Sequence, residues 1–411
     1  MNSQIKQKLN SINWDFSDYN SLKYPLDLNS VHWYLASFPP LIPMYLISLL
    51  SSEGDIIFDP FGGAGTTAIK ALELNRKFVY NDINPFAVDI IKAKVNILKY
   101  YSNNPDFVQN EGTILDSFMV AENEVNNFIR DNGVDVNIKD WYEPQTLTEL
   151  CSISNMIFND NNTNKLLSSI RRCAFSSILK GACSQTDHIT YITDNCRPKR
   201  LIYKNARKLY LDQISVFQMA AADFFKRNLA IFGSQDSIER NLNDSIINSG
   251  DSRNMNWLED SSVDMVITSP PYLCAQDYIK SMRLTNMFFQ NNSMKEKLML
   301  EIGARKKRSS NPDKTVNEYY KDIECSISEI SRVLKPGKFF CLVIGQGSGK
   351  ITREFDIIRD ISNLIQKKYG FSLEHEANRN ITSRRIHVGG ISKENILIFK
   401  KKETEVYRNG I

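Results

Sequence analysis

The chain has 411 residues, 42% of them hydrophobic and 10% aromatic, with 51 Lys and Arg against 47 Asp and Glu and a formal charge of +4. That length admits one large α/β domain with an insertion or two modest domains, and that apolar content excludes disorder along the whole chain. The charge balance is too mild to demonstrate a nucleic-acid partner, so any such argument must rest on local clusters.

In chain order, Asp55 to Phe61 is a short β-favouring run that ends in a turn, Gly62-Gly63-Ala64-Gly65-Thr66-Thr67. Ala68 to Asn75 then reads as helix, Lys77 to Tyr80 as a second strand closed by Asn81-Asp82-Ile83-Asn84-Pro85, and Phe86 to Lys99 as another helix. Strand, glycine turn, helix, strand is a βαβ unit, and it implies a parallel sheet. Residues 103–245 break this rhythm: helical patterns at Leu147–Phe158, Leu166–Lys180 and Asp212–Ile231 are punctuated by an Asn-rich stretch at 159–164. The βα rhythm returns with a strand at Ser245–Asn248 ending at Gly250-Asp251, and another at Val263–Thr268 ending in Ser269-Pro270-Pro271-Tyr272. A polar, basic stretch at 291–315 follows, then a helix over Val316–Val333 and a Lys335-Pro336-Gly337 turn into a strand over Lys338–Ile344. A helix over Ile351–Lys367 and a strand over Glu394–Lys400 complete the pattern. The fold expected is a Rossmann-like α/β sheet with helices on both faces, formed by residues 1–102 and 246–405 and interrupted by a mostly helical insertion at 103–245.

Seven scattered cysteines with no C-x-x-C pair argue against a zinc site or a disulfide framework and fit a reducing compartment. Met1 to Asp18 is polar and lacks the apolar core of a secretory signal; Phe38 to Leu50 holds three prolines and is too short to span a bilayer. A cytoplasmic protein without membrane contact is expected.

The glycine turn carries chemistry because a strand ending in a glycine-rich loop that feeds a helix N-terminus is where such sheets bind nucleotides. No Lys follows Gly65, so the phosphate loop G-x-x-x-x-G-K-[ST] is excluded. Asp59, just before the glycines, would repel a pyrophosphate but accept hydrogen bonds from an ammonium. Asp82, at the end of the second strand, is placed to grip the hydroxyls of a ribose. S-adenosyl-L-methionine, with an amino-acid end and a ribose, suits both carboxylates; a dinucleotide is the rival reading of this loop. In Ser269-Pro270-Pro271-Tyr272 the two prolines remove two N–H donors and leave carbonyls free to accept from an exocyclic amino group, while Tyr272 offers a face for a planar base. A strand-ending proline turn with a packed tyrosine is the plain structural alternative.

Taken together, Asp59-Pro60-Phe61-Gly62-Gly63-Ala64-Gly65-Thr66 resembles the D-P-F-x-G-x-G-T cofactor motif of the amino-methylating DNA methyltransferases. Ser269-Pro270-Pro271-Tyr272 resembles their [DNS]-P-P-[YFW] catalytic motif, in the serine form most often seen in cytosine-N4 enzymes. Asn81-Asp82-Ile83-Asn84-Pro85 is similar to the family's ribose-binding motif, and Gly250-Asp251-Ser252 sits where its adenine-contacting acid belongs. Arg332 to Gly337 resembles the helix-to-strand turn after the catalytic motif. His32 to Leu50, with Phe38-Pro39-Pro40, is similar to the segment beside the cofactor's methionine. The resemblance covers residues 30–100 and 245–400, in an order like the family's α-type arrangement. One departure is that the insertion precedes Gly250-Asp251, which leaves open whether residues 103–245 recognise the target or form a lid.

The resemblance implies methyl transfer from S-adenosyl-L-methionine to the exocyclic amine of a base in double-stranded DNA, most often cytosine N4, in a restriction–modification system with a cognate endonuclease. Adenine N6, or an amine in RNA, is the alternative. The implied catalytic residues are Ser269, Pro270, Pro271 and Tyr272. The implied cofactor residues are Phe38, Pro39, Asp59, Pro60, Phe61, Gly62, Gly63, Gly65, Thr66, Asp82, Ile83, Asn84, Asp251 and Ser252. No metal is expected. A duplex base must be flipped out to reach such a site. Carbon-5 chemistry would need a Pro-Cys nucleophile, and Cys274 stands in the wrong position, so it is expected to be packing. Arg305–Arg308, Asp187-His188 with Tyr191–Arg200, and Arg384-Arg385 are candidate DNA contacts or solvated loops; Asp277-Tyr278 either shapes the base pocket or starts a helix. His32, His375 and His387 are expected to be structural.

Overall fold

The computed structural model describes residues 1–411 apart from 17–26, 36, 38, 161–163, 186–196, 275, 291–293, 305–310, 347–353, 382–392 and 404–411, with residue 230 described by its backbone alone. Phe38, Arg305–Arg308, Arg384-Arg385, Asp187-His188 and His387 therefore lie outside the described residues.

After helix α1 (Ser3–Ser11) and helix α2 (Leu41–Leu50), the chain enters β1 (Ile56–Asp59), α3 (Thr66–Glu73), β2 (Lys77–Asp82) and α4 (Pro85–Tyr101). The α-helices described between residues 103 and 245 are α5 (Glu111–Asp116), α6 (Val125–Asp131), α7 (Pro144–Asn159), α8 (Lys165–Ala182), α9 (Ala206–Phe232) and α10 (Gln235–Asn243). Then come β3 (Ile246–Ser249), β4 (Val263–Thr268), α11 (Arg283–Phe289), α12 (Met294–Leu300), α13 (Pro312–Val333), β5 (Leu334–Gly345), α14 (Ile357–Tyr369), β6 (Phe371–Asn380) and β7 (Lys393–Lys401).

The strands form one sheet in the order β3-β2-β1-β4-β5-β7-β6; β7 runs antiparallel to both neighbours and the other pairings are parallel. The Rossmann-like fold is thus present, with a seventh strand, β6, added to those expected. Alternation along the strands assigns the two faces. Ile57, Phe78, Tyr80, Met265, Ile267, Cys341, Val343, Ile396 and Ile398 join one core; Phe58, Val79, Val266, Phe340, Leu342, Ile344, Leu397 and Phe399 join the other. Helices α13 and α14 cover the second face through Val316, Ile323, Ile327, Ile357, Ile361 and Ile365. Helices α2, α3 and α4 cover the first, and the helices between 103 and 245 extend the same core outward: Phe175 of α8 and Phe217 and Phe224 of α9 are fully buried in it beside Ile97 and Leu98 of α4. The division of residues 1–102 plus 246–405 from 103–245 therefore marks a change of rhythm in the chain, with no break in the packing.

The strand order reverses between β1 and β4. At such a switch point two loops leave in opposite directions and open a crevice beyond the carboxyl ends of the strands.

Candidate active site

That crevice is a cleft of about 920 Å³ of empty space counted out to its mouth. The loops after β1, β2, β3 and β4 supply most of its wall: Pro60, Phe61, Gly62, Gly63, Ala64, Thr66, Asp82, Ile83, Asn84, Gly250, Asp251, Ser252, Ser269, Pro271 and Tyr272. So the glycine turn and the Ser-Pro-Pro-Tyr turn, 210 positions apart at Asp59 and Ser269, face each other across one cavity.

Backbone geometry explains the glycines. Gly63 and Gly65 have φ of +48° and +79°, a region costly for other residues. A Cβ on Gly62 would stand 2.1 Å from the Tyr80 ring, and one on Gly65 would stand 2.4 Å from Ile91 of α4. Gly65 therefore lets α3 and α4 close together, away from the cleft wall, while Gly63 presents backbone to it. The loop is pinned from three sides. Tyr80 donates its hydroxyl hydrogen to the Gly63 carbonyl at 2.8 Å, the Gly63 N–H donates to Asp82 Oδ2 at 2.7 Å, and buried Lys94 donates to the Ala64 carbonyl at 2.6 Å.

Asp59 does not reach the cleft surface, unlike the expectation that it would meet an ammonium. Its carboxylate accepts from the hydroxyls of Thr268 (2.6 Å) and Thr67 (2.8 Å) and from the Phe61 N–H (3.1 Å), and so ties β1 to β4 and to α3. Burial pushes its pKa up to about 6 against those bonds. Asp82 does line the cleft. It accepts from Gly63 N–H and, at 2.8 Å, from Asn84 N–H, and burial raises it to about 6 as well. Asp251 lines the cleft too, but its carboxylate is clamped by Arg253, at 2.6 Å from Nη2 and 2.9 Å from Nε; Arg253 also reaches Asp322 at 2.6 Å. Ser252 shares a hydrogen bond of 3.0 Å with Ser326.

On the opposite wall, Ser269 Oγ lies 3.1 Å from the Tyr272 hydroxyl, which donates to Glu394 Oε1 at 2.9 Å. The Pro271 carbonyl accepts from Tyr319 at 3.0 Å. Pro270 turns the other way, into an apolar pocket with Ile323, Ile327, Ile330 and Phe340. Cys274 is buried, with φ +54°, and its N–H donates to the Gly303 carbonyl at 2.9 Å, a packing and turn position.

The motifs alone leave out part of the wall. Tyr34, Leu35 and Ser37 line the cleft, whereas Pro39 stands outside it at the start of α2, its carbonyl accepting from Ile42 N–H at 3.0 Å. Tyr34 accepts from the Asn84 side chain at 3.1 Å, an aromatic signal that lay within the flagged segment His32–Leu50. Tyr278 lines the cleft, two residues before a short 3-10 helix at Lys280–Met282. Leu300, Glu301 and Ile302, from the end of α12, complete it without any motif to announce them. His32 is buried and lowered to about 4 by its burial; its Nε2 lies 3.1 Å from Ser176 of α8, a structural role.

The charge of the wall is one-sided. Among the described residues that line the cleft are three carboxylates, Asp82, Asp251 and Glu301, and no lysine or arginine. A pyrophosphate would meet repulsion there, whereas a ligand carrying a sulfonium and an ammonium would be attracted. The acceptor set thus fits S-adenosyl-L-methionine and disfavours a dinucleotide. The described residues hold no cluster of side chains suited to a metal ion, and no described helix is long and apolar enough to cross a membrane.

A family model described as DNA methylase matches residues 2–93 and 263–410. The type II methyltransferase M.MvaI of Kocuria varians is 23% identical over 404 residues, covering 86% of this chain and 84% of that protein. The type II methyltransferase M.MjaI of Methanocaldococcus jannaschii is 30% identical over 147 residues, 33% of this chain. M.BglI of Bacillus subtilis, also a type II methyltransferase, is 38% identical over 71 residues, 17% of this chain. The matched stretches span only 44% of M.MjaI and 20% of M.BglI.

Proposed function

We infer the reaction from one premise: this chain belongs to the DNA methylase family. It transfers a methyl group from S-adenosyl-L-methionine to the exocyclic amine of a base flipped out of duplex DNA, and we propose cytosine N4 as the acceptor. The observation that carries this reading is the meeting of the glycine loop and Ser269-Pro270-Pro271-Tyr272 across one acidic cleft free of lysine and arginine among its described residues.

The cofactor, when bound, supplies an electrophilic methyl on its sulfonium. Asp82 is the residue we assign to the ribose hydroxyls, since each of its oxygens keeps one lone pair beyond the bonds from Gly63 and Asn84. Gly63, Thr66, Ile83 and Asn84 shape the wall around it, and Asp251 and Ser252 stand at the adenine end. On the other wall Tyr272 offers its ring to the base, and Ser269 accepts a hydrogen bond from the target amine. An aromatic amine is a weak nucleophile because its lone pair is delocalised. Drawing its hydrogens toward acceptors favours a pyramidal nitrogen, and alignment with the methyl supplies much of the remaining rate.

The serine at position 269 supports cytosine as the base. Residues 103–245, all of which fall in the gap of the family match, are the segment we assign to target recognition or to a lid. A place in a restriction–modification system, with a cognate endonuclease as partner, agrees with the type II methyltransferases among its relatives. Digestion of methylated duplex DNA to nucleosides tests the base. N4-methylcytosine is expected; N6-methyladenine would overturn the choice of base and leave the chemistry intact.

A further inference from the structure

We propose that Glu394, held by Arg379, is a positioning residue that fixes Ser269 as a hydrogen-bond acceptor toward the target amine; this rests on the reading that Ser269 meets that amine. Neither Glu394 nor Arg379 lines the cleft, and no sequence motif points to them. They are directly opposed across β6 and β7, and Glu394 also faces Gly345 of β5. Both side chains are buried, and Arg379 Nη1 donates to Glu394 Oε2 at 2.6 Å.

Direction along the chain follows from proton counting. A buried guanidinium needs a counter-charge, so Glu394 is ionised and can only accept. Tyr272 has a single hydroxyl hydrogen, and Glu394 Oε1, at 2.9 Å, takes it; the reverse would set two lone pairs against each other at that distance. The Tyr272 oxygen can then only accept from Ser269, 3.1 Å away, so the Ser269 hydrogen points at Tyr272. What Ser269 shows the cleft is its lone pairs. Were the hydroxyl turned round, its hydrogen would seek the amine's lone pair and oppose the attack on the methyl. The antiparallel β6–β7 hairpin thus reaches the reaction from the far edge of the sheet through one hydroxyl.

Tyr272→Phe keeps the ring and removes the link; Glu394→Gln lets the amide donate to Tyr272 and reverses the chain. Each should lower kcat by about 10- to 100-fold, less than the roughly 10²–10³-fold cost of removing a preorganised contact to the reacting group, because Ser269 itself remains. KM for DNA and the affinity for S-adenosyl-L-methionine, measured by calorimetry, should stay within about twofold, because neither pocket changes shape. The two substitutions interrupt one chain, so the double variant should be no slower than Tyr272→Phe alone. If Glu394→Gln fails to fold, Tyr272→Phe, which leaves the ion pair intact, carries the test. Ser269→Ala run beside them separates the two claims. A collapse in Ser269→Ala with wild-type kcat in Tyr272→Phe, or additive losses in the double variant, overturns the relay alone. Full activity in Ser269→Ala overturns the reading beneath it.

Discussion

Asp59 and Asp82 end neighbouring strands, and burial lifts both from an ordinary 3.8 to about 6, yet they do different work. Asp59 spends its bonds on Thr67, Thr268 and Phe61 inside the protein, and Asp82 shows its remaining lone pairs to the cleft. A cationic ligand that uses Asp82 as an ionised acceptor must displace its proton below the raised value. Affinity for S-adenosyl-L-methionine should therefore be level above about pH 6 and weaken as pH falls through it, by up to about tenfold per unit. Calorimetry across pH 5 to 8 checks this, and Asp82→Asn should bind weakly with a flatter profile; an unchanged slope in that variant would remove Asp82 from the account. The sequence placed both carboxylates at strand ends, which is a property of local order. That Asp59 turns inward depends on Thr67 and on Thr268, the latter 209 positions away, and no local pattern encodes that.

At the scale of elements, the helices of residues 103–245 are joined by a buried ionic knot. Arg171 of α8 grips Glu111 of α5 with two bonds of 2.8 Å and reaches Asp160 at the end of α7 at 2.7 Å, while Tyr210 of α9 donates to Glu111 at 2.7 Å. Glu111 and Arg171 are almost wholly buried, so removing one partner strands the other's charge. Arg171→Met should cost about 3–5 kcal/mol, read as a drop in the urea midpoint. Loss of less than about 1 kcal/mol would mean that Glu111 finds water or another partner. This segment reads as helical because its apolar residues recur with helical spacing; the knot that fastens it involves single polar residues scattered between positions 111 and 210. Strand β6 escaped notice for a related reason. In Phe371–Asn380 only Phe371 and Arg379 are buried, because it is an edge strand, and its polar run has no alternation to read. The same edge supplies Arg379, so the support behind Tyr272 went unseen with it.

For the whole molecule, the reversal of strand order between β1 and β4 brings the two motifs to one cleft, and each lies where its own sequence put it, at the carboxyl end of a strand. Most of the wall was legible for that reason. Leu300, Glu301 and Ile302 were not, since they come from a helix end whose place is fixed by tertiary packing alone. The helical segment shares the core of α4, whose Lys94 holds the Ala64 carbonyl of the glycine loop. The most direct measurement is transfer of a labelled methyl group from S-adenosyl-L-methionine to duplex DNA of varied sequence, with RNA in parallel and Ser269→Ala as control. Label in DNA is expected, with a loss of about 10²–10³-fold in the variant, the cost of removing one preorganised contact to the reacting group. Label in RNA alone, or equal transfer by the wild type and Ser269→Ala, would contradict the proposed reaction.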